Sequence, residues 1–337
     1  MSEAADDYPI ATVACFDPTC GELPRRALDS AKLKVFLERL CDAGAPAVLI
    51  AASTGHGHLR TVAELTEFFQ QAAKAKLGES KKMALLRPED GFETNAILLE
   101  ELSQLEYDVV FVRPGTDVDR HASDEMVAAS LQPLVAKAAE LELPVGVYSI
   151  PDVSGVPLTA DAVAMLVRGD GGDSIVAVKV TEANYETSTK RFLNHPKLGH
   201  LKVVQGWDPH LARALRDGSH RCGVTSGPMS FAVFQYLHIL DAAAKQDWQE
   251  VDLAQQAVTA LFESMQDDPR KFADLQRAKF IMGLGHPLCD EVTEAQVERV
   301  FDALERVARA ADRKRLILSL DLMQDSPHHD RLQKLLS

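Results

Sequence analysis

Lys179 stands near the end of SIVAVKV, a run of β-branched and small apolar residues that begins at Ser174. Such a run reads as a strand buried on both faces, where an ammonium group is expensive to desolvate. Two readings follow. Either Lys179 lies at the strand end and its head snorkels to water, or burial depresses its pKa and leaves a neutral amine, the nucleophile that forms a Schiff base with a ketone. The protonated imine is then an electron sink that stabilises an enamine at the next carbon. Two further stretches carry compatible chemistry. Ser53-Thr54-Gly55 ends a second apolar run with two hydroxyls and a glycine that lets backbone approach a ligand, so the turn can offer N–H and O–H groups to a carboxylate. Tyr148-Ser149-Ile150-Pro151 ends a third with a phenol that relays protons if its neighbours lower its pKa. Singly, Tyr148 reads as a packed core residue and Ser53-Thr54-Gly55 as an ordinary turn; together, on strand ends, they point to catalysis.

The elements that must position these groups repeat along the chain. Short β-branched runs alternate with longer amphipathic stretches: IATVACF (from Ile10), AVLIAAS (Ala47), KMALLR (Lys82), DVVFVR (Asp108), PVGVYSI (Pro144), SIVAVKV (Ser174), LKVVQGW (Leu201) and CGVTSG (Cys222). Thr61 with Glu64 forms a capping box, and Ser123 and Thr159 are N-cap residues. Eight βα units of this kind predict an α/β fold, a (β/α)8 TIM barrel over residues 1–247, with a doubly wound sheet as the fallback. The strand signal then stops. Residues 248–337 read as a C-terminal helical extension: WQEVDLAQQAVTALFESM, PRKFADLQRAKFIMGLG and TEAQVERVFDALERVARAA, the last opened by a capping box of Thr293 and Gln296. SPHHDRLQKLLS reads as a short helix or a tail.

Composition narrows the partners. A net charge of −14 argues against binding nucleic acid or an anionic membrane through a general field, and leaves small molecules. Cys15, Cys20, Cys41, Cys222 and Cys289 include no CxxC pair, and the N-terminus lacks the basic and apolar regions of a signal peptide, which together predict a cytoplasmic protein. The longest apolar stretch is too short for a membrane span. His56 and His58 make an HGH pair without a third ligand nearby, so no metal site is expected.

These residues resemble the dihydrodipicolinate synthase and N-acetylneuraminate lyase superfamily of class I aldolases, along nearly the whole chain. Ala52-Ser53-Thr54-Gly55-His56 is similar to the G-[ST]-T-G-E turn after strand two. Tyr148, Pro151, Ser154 and Gly155 match Y-x-x-P-x-x-[TS]-G after strand five, and Lys179 falls on the Schiff-base lysine. Gly206-Trp207-Asp208 resembles the end of strand seven, Gly223-Val224-Thr225-Ser226 strand eight, and LQRAKFIMGLG the helical C-terminal region. The resemblance implies that Lys179 forms an imine with pyruvate or another 2-oxo acid, that Tyr148 shuttles protons and Thr54 passes them on, and that Ser53, Thr54 and Gly55 hold the carboxylate. Asp208 and Ser226 join the substrate contacts, with Asp208 placed like the acid that binds sugar hydroxyls in neuraminate lyases.

The departures shape the substrate. Val153 takes the place of the arginine that grips the second substrate in the synthases, and Thr116 that of the tyrosine lent across a subunit interface. His56 replaces a glutamate. Arg87 and Arg113, at the ends of strands three and four, either turn inward to clamp a distal carboxylate or phosphate, or pair with Glu89, Asp90 or Asp117. The expectation is a Schiff-base lyase or aldolase acting on a 2-oxo acid, not a true dihydrodipicolinate synthase, needing no cofactor and working as a homodimer or homotetramer. A 2-keto-3-deoxy sugar acid dehydratase and a non-catalytic 2-oxo-acid-binding barrel stay open as alternatives.

Overall fold

Eight parallel strands form a closed barrel: β1 (Ala11–Ala14), β2 (Ala47–Ile50), β3 (Lys81–Leu85), β4 (Val109–Val112), β5 (Val145–Ser149), β6 (Ile175–Val180), β7 (Lys202–Gln205) and β8 (Cys222–Ser226). This is the architecture in the computed structural model, which describes residues 7–265, 273–288, 290–322 and 324–337. Cys289 and the residues 1–6 that open the N-terminal stretch lie outside them, as do residues 269–272 of the second predicted C-terminal helix. All residues of β1, β2, β4, β5, β6 and β8 are buried. That is why these runs are continuously apolar, with one face toward the barrel interior and the other covered by helices. The longer helices between strands are α1 (Ser30–Asp42), α2 (Val62–Ala72), α3 (Phe92–Gln104), α4 (Asp124–Glu140), α5 (Ala160–Leu166), α6 (Thr189–Asn194) and α7 (Leu211–Gly218), with α8 (Val233–Ala244) after β8.

Helix starts follow the local chemistry. At α2 the Thr61 hydroxyl accepts from the Glu64 N–H at 3.3 Å, and the Glu64 carboxylate accepts from the Thr61 N–H at 2.7 Å. Ser123 accepts from the Met126 N–H at 3.4 Å to open α4, and Thr159 from the Ala162 N–H at 3.1 Å to open α5. Each hydroxyl satisfies an N–H that the first turn leaves without an intrahelical partner.

The chain divides into two units. Met1–Ile10 with Lys81–Thr225 form the first, Ala11–Ser80 with Ser226–Ser337 the second. In the first, β3 to β8 pair in sequence, each with the next. In the second, β1 pairs with β2, and a two-stranded antiparallel ribbon joins Thr19–Cys20 to Ala27–Leu28.

Beyond the barrel strands come α9 (Trp248–Ser264), α10 (Ala273–Ile281), α11 (Glu294–Glu305), α12 (Ala310–Asp321) and α13 (His329–Leu336). The structure corrects the reading of TEAQVERVFDALERVARAA as one helix. The helix stops at Glu305, and in the link that follows the carbonyls of Val307 and Ala308 accept from the Arg313 guanidinium, at 3.1 and 3.3 Å. Arg309 then pairs with Asp312 at 3.1 Å at the start of α12. Among the described residues no helix is long and apolar enough to cross a membrane.

Candidate active site

Register places the reactive groups of the first unit. Tyr148 pairs with Lys179 across β5 and β6, and Val112 of β4 pairs with Val147. The next residue, Arg113, therefore stands beside Tyr148. In parallel strands residues in register share a face, so Arg113, Tyr148 and Lys179 form one row across the C-terminal ends of three neighbouring strands.

Lys179 is 4% exposed, and its Nζ lies over the Tyr148 ring, 4.2 Å from the centroid. Burial pulls the amine down to about 7, against the opposing charge of the fully buried Asp208. A lysine snorkelling to water has neither property, so of the two readings of the strand it is the desolvated amine that the structure holds. The Tyr148 hydroxyl shares a hydrogen bond of 3.0 Å with Thr181 Oγ1. Its pKa moves opposite to the lowering on which the sequence made proton relay conditional. Burial raises the phenol, and the Thr181 hydrogen bond and the Arg113 charge only partly counter this, so Tyr148 holds its proton at neutral pH.

Thr181 escaped the sequence reading. It stands two residues beyond Lys179, the spacing that returns a side chain to the same face of a strand, and that alternation was the available signal. Gly206 makes room for both groups: a Cβ there would lie 2.1 Å from Thr181 Oγ1 and 3.1 Å from Lys179 Cε. Ser149, next to Tyr148, donates to Glu182 at 2.6 Å and accepts from the Leu158 N–H at 2.9 Å, which fixes the loop after β5.

Both arginines have acidic partners. Arg87 is bidentate to Asp90, at 2.8 and 2.6 Å. Arg113, 1% exposed, donates to Glu89 at 2.6 Å and to the Pro114 carbonyl at 2.9 Å.

The second unit holds the predicted carboxylate turn. Ser53–Gly55 is a single 3-10 turn in which Ser53 and Thr54 are buried, followed by His56 in the left-handed region at φ 52°. Gly57 permits the fold-back, since a Cβ there would lie 1.7 Å from the Ala51 carbonyl oxygen. At Gly55 the close approach is internal, with a Cβ position 2.8 Å from the Cys15 carbonyl oxygen. Ser226 donates to the Tyr236 hydroxyl at 3.1 Å and accepts from the Met229 N–H at 3.3 Å.

Beneath the turn lies a charge cluster that sequence reasoning missed. The fully buried Asp17 carboxylate faces His56 Nδ1 at 3.1 Å and accepts from Arg60 at 2.6 Å and from Lys279 at 2.9 Å. Lys279 also donates to the Asp17 carbonyl at 2.8 Å. Burial pushes the Asp17 carboxyl up, but His56, Lys279 and Arg60 outweigh it and hold it well below its usual range. Burial lowers His56, which is therefore neutral and carries its proton on Nδ1 toward Asp17, and brings Lys279 down to about 8. The first histidine of the HGH pair is thus committed to Asp17.

Residues 133–293, which include Tyr148, Lys179, Asp208, Ser226 and Lys279, match the dihydrodipicolinate synthetase family. Over these residues the chain resembles that family. Solved structures of dihydrodipicolinate synthases and of a sialic acid aldolase share its fold. The 4-hydroxy-tetrahydrodipicolinate synthase of Methylacidiphilum fumariolicum SolV is 18% identical, with a TM-score of 0.76 over 94% of this chain and 99% of that one. A catalytic lysine mutant of Ruminococcus gnavus sialic acid aldolase is 14% identical, with a TM-score of 0.75 over 91% and 97%. The chloride-inhibited dihydrodipicolinate synthase of Acinetobacter baumannii, complexed with pyruvate, is 18% identical, with a TM-score of 0.73 over 89% and 99%. No curated protein sequence matched the chain.

Proposed function

We propose that the protein is a Schiff-base lyase acting on a 2-oxo acid. The observation that carries this reading is Lys179, a desolvated amine with a pKa of about 7 packed on the Tyr148 ring. The neutral amine adds to the C2 carbonyl. Tyr148, which keeps its proton, donates it to the carbinolamine hydroxyl, which leaves as water and gives the imine. The resulting tyrosinate takes the proton of a C4 hydroxyl, the C3–C4 bond breaks, and its electrons pass into the iminium as an enamine. Protonation at C3 and hydrolysis release pyruvate and free Lys179. Thr181 holds the phenol in place between the two transfers. Ser53 and Thr54 keep the roles the resemblance gives them, carboxylate binding and proton passage.

Borohydride trapping with pyruvate tests the reading. A reduced adduct on Lys179, located by mass spectrometry, is expected; none, where a known class I aldolase is labelled, sinks the mechanism. The adduct should form at a pH-dependent rate. Below about pH 7 Lys179 is an ammonium ion and cannot attack, so the rate falls about tenfold per pH unit there and levels off above. A flat profile between pH 5.5 and 8.5 would show that another group limits the step.

Gly206→Ala probes the geometry. The added methyl displaces Thr181 and crowds Lys179, and a misplacement of about 1 Å costs on the order of a hundredfold in rate. Turnover should fall by that amount in a protein that still folds, as judged by circular dichroism. Near-normal kcat would show that neither group needs its observed position.

A further inference from the structure

The row of side chains at the strand ends continues past the reacting groups to a partly buried ion pair, in which the Glu89 side chain is 18% exposed, and that pair has an incomplete hydrogen-bond set. Arg113 stands beside Tyr148, with a side chain 2% exposed, and its Nη2 donates to Glu89 Oε1 at 2.6 Å. Glu89 comes from the single turn after β3, Pro88–Asp90, and is packed against the loop after β4, where a Cβ on Gly115 would lie 3.3 Å from the Glu89 nitrogen. Its second oxygen, Oε2, is buried and accepts no hydrogen bond.

Both features bear on what the site selects. An arginine awaiting a substrate carboxylate leaves its fork open to it, whereas Arg113 has one arm on Glu89 and another on the Pro114 carbonyl. Its charge is already balanced, and a second carboxylate entering there meets Glu89 as a like charge. A buried carboxylate oxygen without a donor is costly to keep. What satisfies it is an uncharged hydrogen-bond donor, and on a 2-oxo acid that donor is a hydroxyl.

We infer that Glu89 is a specificity-determining residue: its Oε2 accepts a hydrogen bond from a hydroxyl on the distal part of the 2-oxo acid, while its Oε1 ties up Arg113 and turns away substrates with a second carboxylate. The assignment rests on the Schiff-base reading. It replaces the distal-carboxylate clamp allowed by the sequence with a hydroxyl acceptor. It also gives Glu89→Gln two opposed effects, because the amide weakens the grip on Arg113 and replaces the anionic acceptor.

The test uses two 4-hydroxy-2-oxo acids of equal chain length, one ending in a hydroxymethyl group and one in a carboxylate, scored by substrate consumed. The wild-type protein should favour the hydroxymethyl compound in kcat/KM by about tenfold or more. In Glu89→Gln that ratio should fall by about ten- to a hundredfold, with the carboxylate compound gaining in absolute terms as Arg113 is released. A wild-type preference for the carboxylate, or an unchanged ratio in folded Glu89→Gln, overturns the assignment. If Glu89→Gln does not fold, the wild-type comparison with a third substrate lacking the distal hydroxyl decides: no loss against the hydroxymethyl compound overturns it. Pyruvate trapping on Lys179 is run alongside. A trapped protein with the wrong preference sinks only the Glu89 assignment, and an untrapped one sinks the Schiff-base reading as well.

Discussion

Lys179→Met is expected to abolish turnover and pyruvate trapping while leaving a protein more stable than its parent. The two effects have one cause. Folding moves the amine from about 10.5 in the unfolded chain to about 7, chiefly by desolvation. Between these values the unfolded chain binds the proton and the folded chain does not, so stability rises with pH across that window. Below pH 7 the penalty is complete, on the order of 5 kcal/mol, and above about pH 10.5 it vanishes. Methionine fills a similar volume without a charge. Its advantage in urea unfolding should therefore be largest near pH 6 and shrink toward pH 10.5. Residual turnover above a thousandth of wild type would remove Lys179 from the chemistry. A methionine variant less stable at every pH would show that the amine contributes favourable contacts beyond the Tyr148 ring.

Asp17→Asn is expected to be the most destabilising single change in the second unit. The substitution keeps the shape of the side chain and removes the charge that holds Arg60 and Lys279, leaving two cations buried without their counterion. Breaking a buried pair in this way costs about 3–5 kcal/mol. Acid acts on the same group. The folded carboxyl lies below its unfolded value, so its stabilisation is present above the unfolded pKa and is lost as pH falls through the folded one. A second change, Lys279→Met, should recover part of the loss, because it removes one stranded cation. The double variant is expected to be more stable than additivity predicts, by about 0.5–3 kcal/mol. Strict additivity in urea unfolding would show that the two groups do not share one electrostatic unit.

The barrel was legible because eight apolar runs buried on both faces fit few architectures besides a closed parallel sheet, and the pairing of Tyr148 with Lys179 follows from consecutive strands being neighbours. The caps at Thr61, Ser123 and Thr159 were legible because they act within three residues. Asp17 was not legible, since its partners come from residues 56, 60 and 279 and no local pattern announces a charge balanced across such distances. The rise at Tyr148 was not legible for a related reason: burial on all sides is a property of the assembled barrel, whereas the neighbours that lower a phenol can be guessed one at a time. The break after Glu305 was hidden because the carbonyls of the link, at Val307 and Ala308, are taken by Arg313 from the following helix, and no local pattern shows this.

The cluster at Asp17 also sets an order of events during synthesis. Asp17 and Lys279 are separated by 262 positions, and the Thr19 N–H near the same loop reaches the Leu284 carbonyl at 2.9 Å. At about 5–20 residues per second, the ribosome delivers Lys279 on the order of tens of seconds after Asp17. Throughout that interval the carboxylate has no reason to leave water, and Arg60 alone is a poor counterweight to its dehydration. Residues 81–225 of the first unit, contiguous in the chain, face no such wait. The nascent protein is thus timed by α10, the helix that carries Lys279, whose arrival turns a hydrated N-terminal segment into a buried one.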